Sequence, residues 1–172
     1  SLQGNMTLTN GTLTFNQTTE GTYSGNISSP SGTNTLVKQG SAKLHFTGNN
    51  SAFTGSTSVQ TGELNVNGAL NGTVNVLANA ILSGTGPFQN VVNSGVLSPG
   101  NSIGTMVVSG DLTLNSSSVL NIEVSPTDID VIQVTGNVLQ VTGEAIFTML
   151  PGSYQTQKTY TFLTAASIPS NE

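Results

Sequence analysis

Residues Ala42-Lys43-Leu44-His45-Phe46 and Glu63-Leu64-Asn65-Val66 decide the fold. In each, apolar and polar side chains alternate, the pattern of a strand with one buried face. The apolar pair Leu44/Phe46 returns as Leu64/Val66, 20 positions later, and Leu112/Leu114 returns as Ile132/Val134 at the same interval. Similar short runs stand at Thr12 to Phe15, Thr73 to Val76, Thr105 to Val108, Asp111 to Leu114, Val119 to Val124, Val131 to Val134, Ala145 to Leu150 and Thr159 to Leu163. Gly, Asn, Ser or Pro bounds each of them. No longer window carries helical periodicity, so the chain reads as all-β.

A fixed step near 20 residues is that of a solenoid coil, in which each turn buries its inward side chains against the next. A sandwich of hairpins would instead place turn signals every 8–12 residues or so. Asn10-Gly11, Asn67-Gly68 and Asn71-Gly72 are such signals, but the corners within a coil need them equally. The spacing favours the solenoid, with about eight coils. Residues 1–117 read as regular coils. Residues 118–172 hold longer apolar runs together with Phe147, Tyr154, Tyr160 and Phe162, and are expected to form a distal capping region, because the last coil of a solenoid needs a cover.

Composition narrows the function classes. Only 6% of the 172 residues are charged, the net charge is −5, and Lys38, Lys43 and Lys158 are the sole Lys or Arg residues. That balance argues against nucleic acid, whose phosphates require clustered Lys and Arg. The absence of Cys excludes disulfides, a thiolate zinc site and a Cys nucleophile. No apolar run approaches the ~20 residues of a membrane-spanning helix, and Ser1-Leu2-Gln3-Gly4 does not open like a signal peptide. Ser, Thr, Asn and Gly supply the solvated surface instead, and they also suit tight turns.

Two segments go beyond composition. From Lys38 to Gly68, the residues Lys38, Gly40, Leu44, Gly48, Asn50, Phe53, Gly55, Thr57, Val59, Gly62, Leu64 and Val66 fall in the order of the passenger-associated repeat of bacterial autotransporters. From Ser94 to Leu114, Gly95, Leu97, Pro99-Gly100-Asn101-Ser102-Ile103-Gly104-Thr105, Val108 and Gly110 resemble a signature of the distal passenger. Ser118 to Val124, Asp128 to Val134 and Tyr160 to Ala165 continue the likeness, which spans about residues 31 to 166. It implies a right-handed parallel β-helix of the pertactin-like kind, exported through the chain's own C-terminal β-barrel in type V secretion. It further implies a Gram-negative cell-surface or secreted location and an autochaperone-like distal region that folds first and templates the rest.

The residues that suggest chemistry have plain structural readings. His45, the only His, lies between Leu44 and Phe46 and is expected to point outward into solvent; a Ser-His-Asp triad would have to use it. Asp128 and Asp130 flank Ile129 and are expected on one strand face, as a polar corner; an acid–base pair, or a weak cation site with Asp111 and Glu123, is the sharper alternative. Asn49 and Asn50 are expected to stack at a coil corner. Gly48, Gly55, Gly62 and Gly104 have no following Lys-Ser/Thr of a phosphate loop and read as turn residues, as does Pro99-Gly100. No catalytic, cofactor or metal site is therefore expected, and the chain is not expected to be an enzyme. The leading functional expectation is a passenger segment that supports folding and secretion and presents functional modules at the cell surface. The alternative is an adhesin that binds host cells, glycans or sister molecules directly.

Overall fold

The computed structural model describes residues 3–169. It is all-β and parallel, as the periodicity predicts. The chain winds between two sheets. A seven-stranded sheet takes β2 (Gly21–Tyr23), β4 (Lys43–Phe46), β6 (Gly62–Val66), β8 (Ala80–Gly84), β10 (Val96–Pro99), β13 (Val119–Val124) and β16 (Glu144–Met149). A ten-stranded sheet takes β1 (Met6–Asn16), β3 (Ile27–Gln39), β5 (Ser56–Val59), β7 (Leu70–Val76), β9 (Pro87–Asn93), β11 (Thr105–Val108), β12 (Leu112–Leu114), β14 (Val131–Val134), β15 (Val138–Val141) and β17 (Leu163–Thr164). The first of these sheets receives one strand per coil, which makes about seven coils rather than eight.

The count falls because the coils are unequal. The pairing Leu44↔Leu64 confirms the 20-residue step, but Ile81↔Val96 closes a coil in 15 residues and Val119↔Glu144 takes 25. The second interval read from the sequence is overturned. Leu112 stacks on Val138, not on Ile132, and Ile132 stacks on Met106. Strands β11 and β12 lie on successive stretches of β9, so Leu112/Leu114 and Ile132/Val134 occupy different positions along the coil.

Inward side chains stack in columns along the rod. Leu44, Leu64, Leu82, Leu97 and Leu120 occupy one column on consecutive coils, each 5% exposed or less. Burial of each contributes about 1.5–3 kcal/mol. Near the N-terminal end, Phe15, Tyr23 and Phe46 form a triad with ring centroids 5.3–5.4 Å apart.

The corners explain the glycine content. A side chain at Gly25, Gly48, Gly68 or Gly86 would run into the carbonyl of Gly4, Gly25, Gly48 or Gly68 respectively. One glycine thus lies on the next along four successive coil steps. Beside this column, Asn5 Oδ1 accepts from the Asn26 amide and Asn26 Oδ1 from the Asn49 amide. Asn49 thus joins a corner series through side chain to backbone bonds rather than an amide ladder, whereas Asn50 does not share it and is buried. Asn10-Gly11 makes no hairpin: Asn10 adopts φ 56 within β1 and bends the strand round a corner.

Candidate functional site

The outer face of the seven-stranded sheet carries a cleft of about 460 Å³. Its floor comes from alternate, outward positions of β4, β6, β8, β10 and β13. Its wall is the turn after β10, which contributes Asn101 and Ser102. His45 does point outward, yet it is not free in solvent. Its Nε2 lies 2.7 Å from Glu20 Oε1 and its Nδ1 lies 3.0 Å from Asn65 Oδ1. The hydrogen bond to His45 holds the Glu20 carboxyl below the usual carboxylate range, with smaller help from the charges of His45 and Lys43.

The network continues along the sheet. Asn65 Nδ2 donates to Ser83 Oγ at 2.8 Å and to Asn101 Oδ1 at 2.7 Å. Asn67 Nδ2 donates to Asn65 Oδ1 at 2.8 Å, and Asn101 Nδ2 donates to Asn67 Oδ1 at 3.0 Å. Ser83 Oγ donates to Glu63 at 2.6 Å, and Glu63 pairs with Lys43 at 2.8 Å. Asn65 stands between His45 and Ser83, and the Ser83 hydroxyl proton is engaged by Glu63. The His45 imidazole thus has no direct contact with the Ser83 hydroxyl. The arrangement is a polar surface on which side chains from three coils and one turn fix each other's orientation.

Asp128 and Asp130 separate. Asp128 is exposed and Asp130 is fully buried, because an antiparallel bridge between Val124 and Ile129 folds residues 125–128 into a tight loop instead of a strand. The shared-face expectation is corrected accordingly. Asp130 Oδ1 accepts from the Gly104 amide and Oδ2 from the Glu123 amide, each at 2.8 Å. Desolvation raises its carboxyl above the ordinary range, and the two amide bonds oppose that shift. Among the described residues no three His, Cys, Asp or Glu side chains gather to hold a metal. The turn from Gly100 to Gly104 is held from both sides, by the bond of Asn101 to Asn65 on β6 and by Asp130 from the following coil.

Lys38 is buried with no exposed surface. Its Nζ donates to the carbonyls of Gln39, Gly40 and Thr61 at 3.2, 2.9 and 3.0 Å. Burial pushes its ammonium below the usual lysine range, and the nearby Glu63 charge acts the other way. Gly40 and Gly62 take φ of 82° and 69° at these two turns, a conformation that favours glycine. Asn50, also buried, accepts from the Ile27 amide of the previous coil at 2.7 Å. Residues 36–66, which contain this arrangement, match the family model of the passenger-associated-transport-repeat. The solenoid and the repeat fit an autotransporter passenger domain. No curated protein matches the chain. In this chain the repeat spans little more than one coil, and its Lys and Asn positions satisfy buried corner groups while its glycines make the turns.

At the distal end of the rod, residues 150–162 leave regular structure and fold across the preceding turn. Tyr154 Oη donates toward Val124 O and Leu150 O at 2.7 and 2.6 Å. Tyr160 Oη reaches Ser125 O and Pro126 O at 2.8 and 3.0 Å, and Lys158 Nζ donates to Pro126 O and Thr127 O at 2.8 and 2.9 Å. Phe162 meets Phe147 edge-on, with centroids 5.2 Å apart. The strand expected from Thr159 to Leu163 survives only as β17. No local pattern marks Asn65, Ser83 and Asn101 as partners, because 36 residues separate Asn65 from Asn101.

Proposed function

We propose that this passenger segment supports folding and secretion, and that residues 118–172 close the rod and template the coils before them. It works at the surface of a Gram-negative cell or after release from it, exported through a β-barrel C-terminal to the passenger. It carries functional modules away from the membrane and performs no catalysis itself. The observation that supports this reading best is the closure by Tyr154, Lys158 and Tyr160 over the carbonyls of residues 124–127. A solenoid coil gains most of its stability from its neighbour, so a bonded end supplies the first template. No helix among the described residues is long and apolar enough to cross a membrane; the barrel would be a separate part of the protein.

The test compares guanidinium unfolding of residues 1–172 with that of a chain ending at Ser118, followed by far-UV circular dichroism. The longer chain is expected to unfold at a midpoint higher by about 1 M or more, and added residues 118–172 are expected to speed refolding of the shorter chain. Equal midpoints with no assistance in trans would remove the folding role. Adhesion is the second reading, and the outer cleft with its pre-oriented polar groups favours it.

A further inference from the structure

We infer that the outer cleft binds a neutral, extended oligosaccharide lying parallel to the rod axis. This deepens the adhesion reading and does not depend on the folding role of residues 118–172. Two parallel columns of side chains carry the argument. The pairings His45↔Asn65, Asn65↔Ser83 and Ser83↔Ser98 place these outward residues on consecutive coils, and Asn121 follows on β13 beyond Leu120, the partner of Leu97. All five are polar, and all five line the cleft. Beside them runs a second column, Lys43↔Glu63, Glu63↔Ile81 and Ile81↔Val96, whose distal half is apolar.

An extended sugar chain needs this combination. Its ring edges carry hydroxyls that donate and accept, and its ring faces carry C–H groups that seek an apolar floor. Coils repeat at about 4.8 Å, close to the length of one hexose in an extended chain. Successive sugars would meet the side chains of Ser98 and Asn121 on neighbouring coils, continuing a polar column that His45, Asn65 and Ser83 begin. Ser98 and Asn121 make no side-chain hydrogen bond among the described residues, so their donors and acceptors are open to a ligand. Asn65 and Ser83 are 1% and 3% exposed and already fixed by neighbours, so little side-chain entropy is lost when a ligand meets the surface they hold.

Charge selects a neutral chain over an acidic one. The single ammonium in the cleft, Lys43, is neutralised by Glu63 at 2.8 Å, and Glu123 adds a further carboxylate at the distal end. An oligosaccharide bearing a carboxylate on each residue would be repelled there and would find no Arg to pair with.

The experiment is a two-dimensional amide NMR titration of the 172-residue chain with cellotetraose, chitotetraose and tetragalacturonate, each up to about 10 mM, since shallow saccharide sites bind with Kd near 1 mM. At least one neutral tetramer is expected to shift the amides of β6, β8, β10 and β13, and tetragalacturonate is expected to shift none of them. Ser98→Phe fills the cleft without removing any of its hydrogen bonds and is expected to weaken binding at least about tenfold. Asn121→Ala is expected to weaken it about threefold while leaving the unfolding midpoint unchanged. Absence of shifts with both neutral tetramers overturns the proposal. So does undiminished binding by the folded Ser98→Phe chain, or tighter binding of tetragalacturonate.

Discussion

The coils up to β10 and the end beyond β13 solve the same problem by different means. In the first, backbone meets backbone: Gly25, Gly48, Gly68 and Gly86 lie each on the glycine before, and the leucine column is buried. In the second, the steps lengthen to 25 residues and more, and all six residues of β16 are exposed. Phe147 is 47% exposed and Met149 56%, although their partners Ile122 and Val124 are buried. Side-chain hydroxyls and one ammonium close the distal turn there. Repetition lets a coil depend on close approach, because a glycine at the same corner of the neighbouring coil leaves room for the fit. An end has no such neighbour, and long polar side chains do the joining.

That contrast can be broken first at its strongest point. Gly48→Ala puts a methyl group onto the Gly25 carbonyl, so two coils must part, and a loss of about 3 kcal/mol is expected in denaturant unfolding. A loss below about 1 kcal/mol would mean that the corner is slack and the glycine column incidental. Asp130→Ala comes next. It leaves the Gly104 and Glu123 amides without their acceptor and is expected to cost about 2–3 kcal/mol, with faster amide exchange in residues 100–104.

The double change Tyr154→Phe with Tyr160→Phe keeps the rings and removes the hydroxyls. About 1–2 kcal/mol is expected to be lost, with the change in hydrogen exchange confined to residues 119–167. Loss of protection as far as β4 would show that the end controls the whole rod and would blur the distinction between the regions.

The smallest effect concerns pH. Because Asp130 is raised in the folded state, its titration adds stability that is complete below the unfolded value of about 3.9 and is lost as pH rises through the folded value. The stability margin of the parent chain over Asp130→Asn is therefore expected to widen from neutral pH toward pH 4. A margin that narrows would indicate that the two amide bonds outweigh desolvation.

Much of the fold was legible where alternation was clean and bulky. Thr105 to Val108, Val119 to Val124 and Val131 to Val134 are strands with the predicted bounds. Strand β5, Ser-Thr-Ser-Val, escaped notice because hydroxyl residues fill it, although Thr57 is fully buried. Strand β3 was missed because Pro30 to Asn34 interrupt it at a corner. The site was half legible. His45's outward direction follows from its neighbours, but the bond to Glu20 and the relay through Asn65 depend on which coils are adjacent. Unequal coil lengths hide that adjacency from spacing. Lys38 carried a family signature, yet nothing local marks it as buried, since its partners are carbonyls from two different turns.

Because the backbone of each coil pairs only with the coils directly before and after it, the molecule has a distinctive response to being pulled. Tension between its chain ends loads the rungs of the terminal coil and leaves the next coil unloaded until that one yields. The rod is therefore expected to give way in a series of small steps. Each step releases a coil of about 20 residues, on the order of 70 Å of extended chain. In a force–extension trace such a protein behaves as an extensible tether that dissipates work repeatedly, and shortening or lengthening individual coils, as between β8 and β10 or β13 and β16, sets the size of each step.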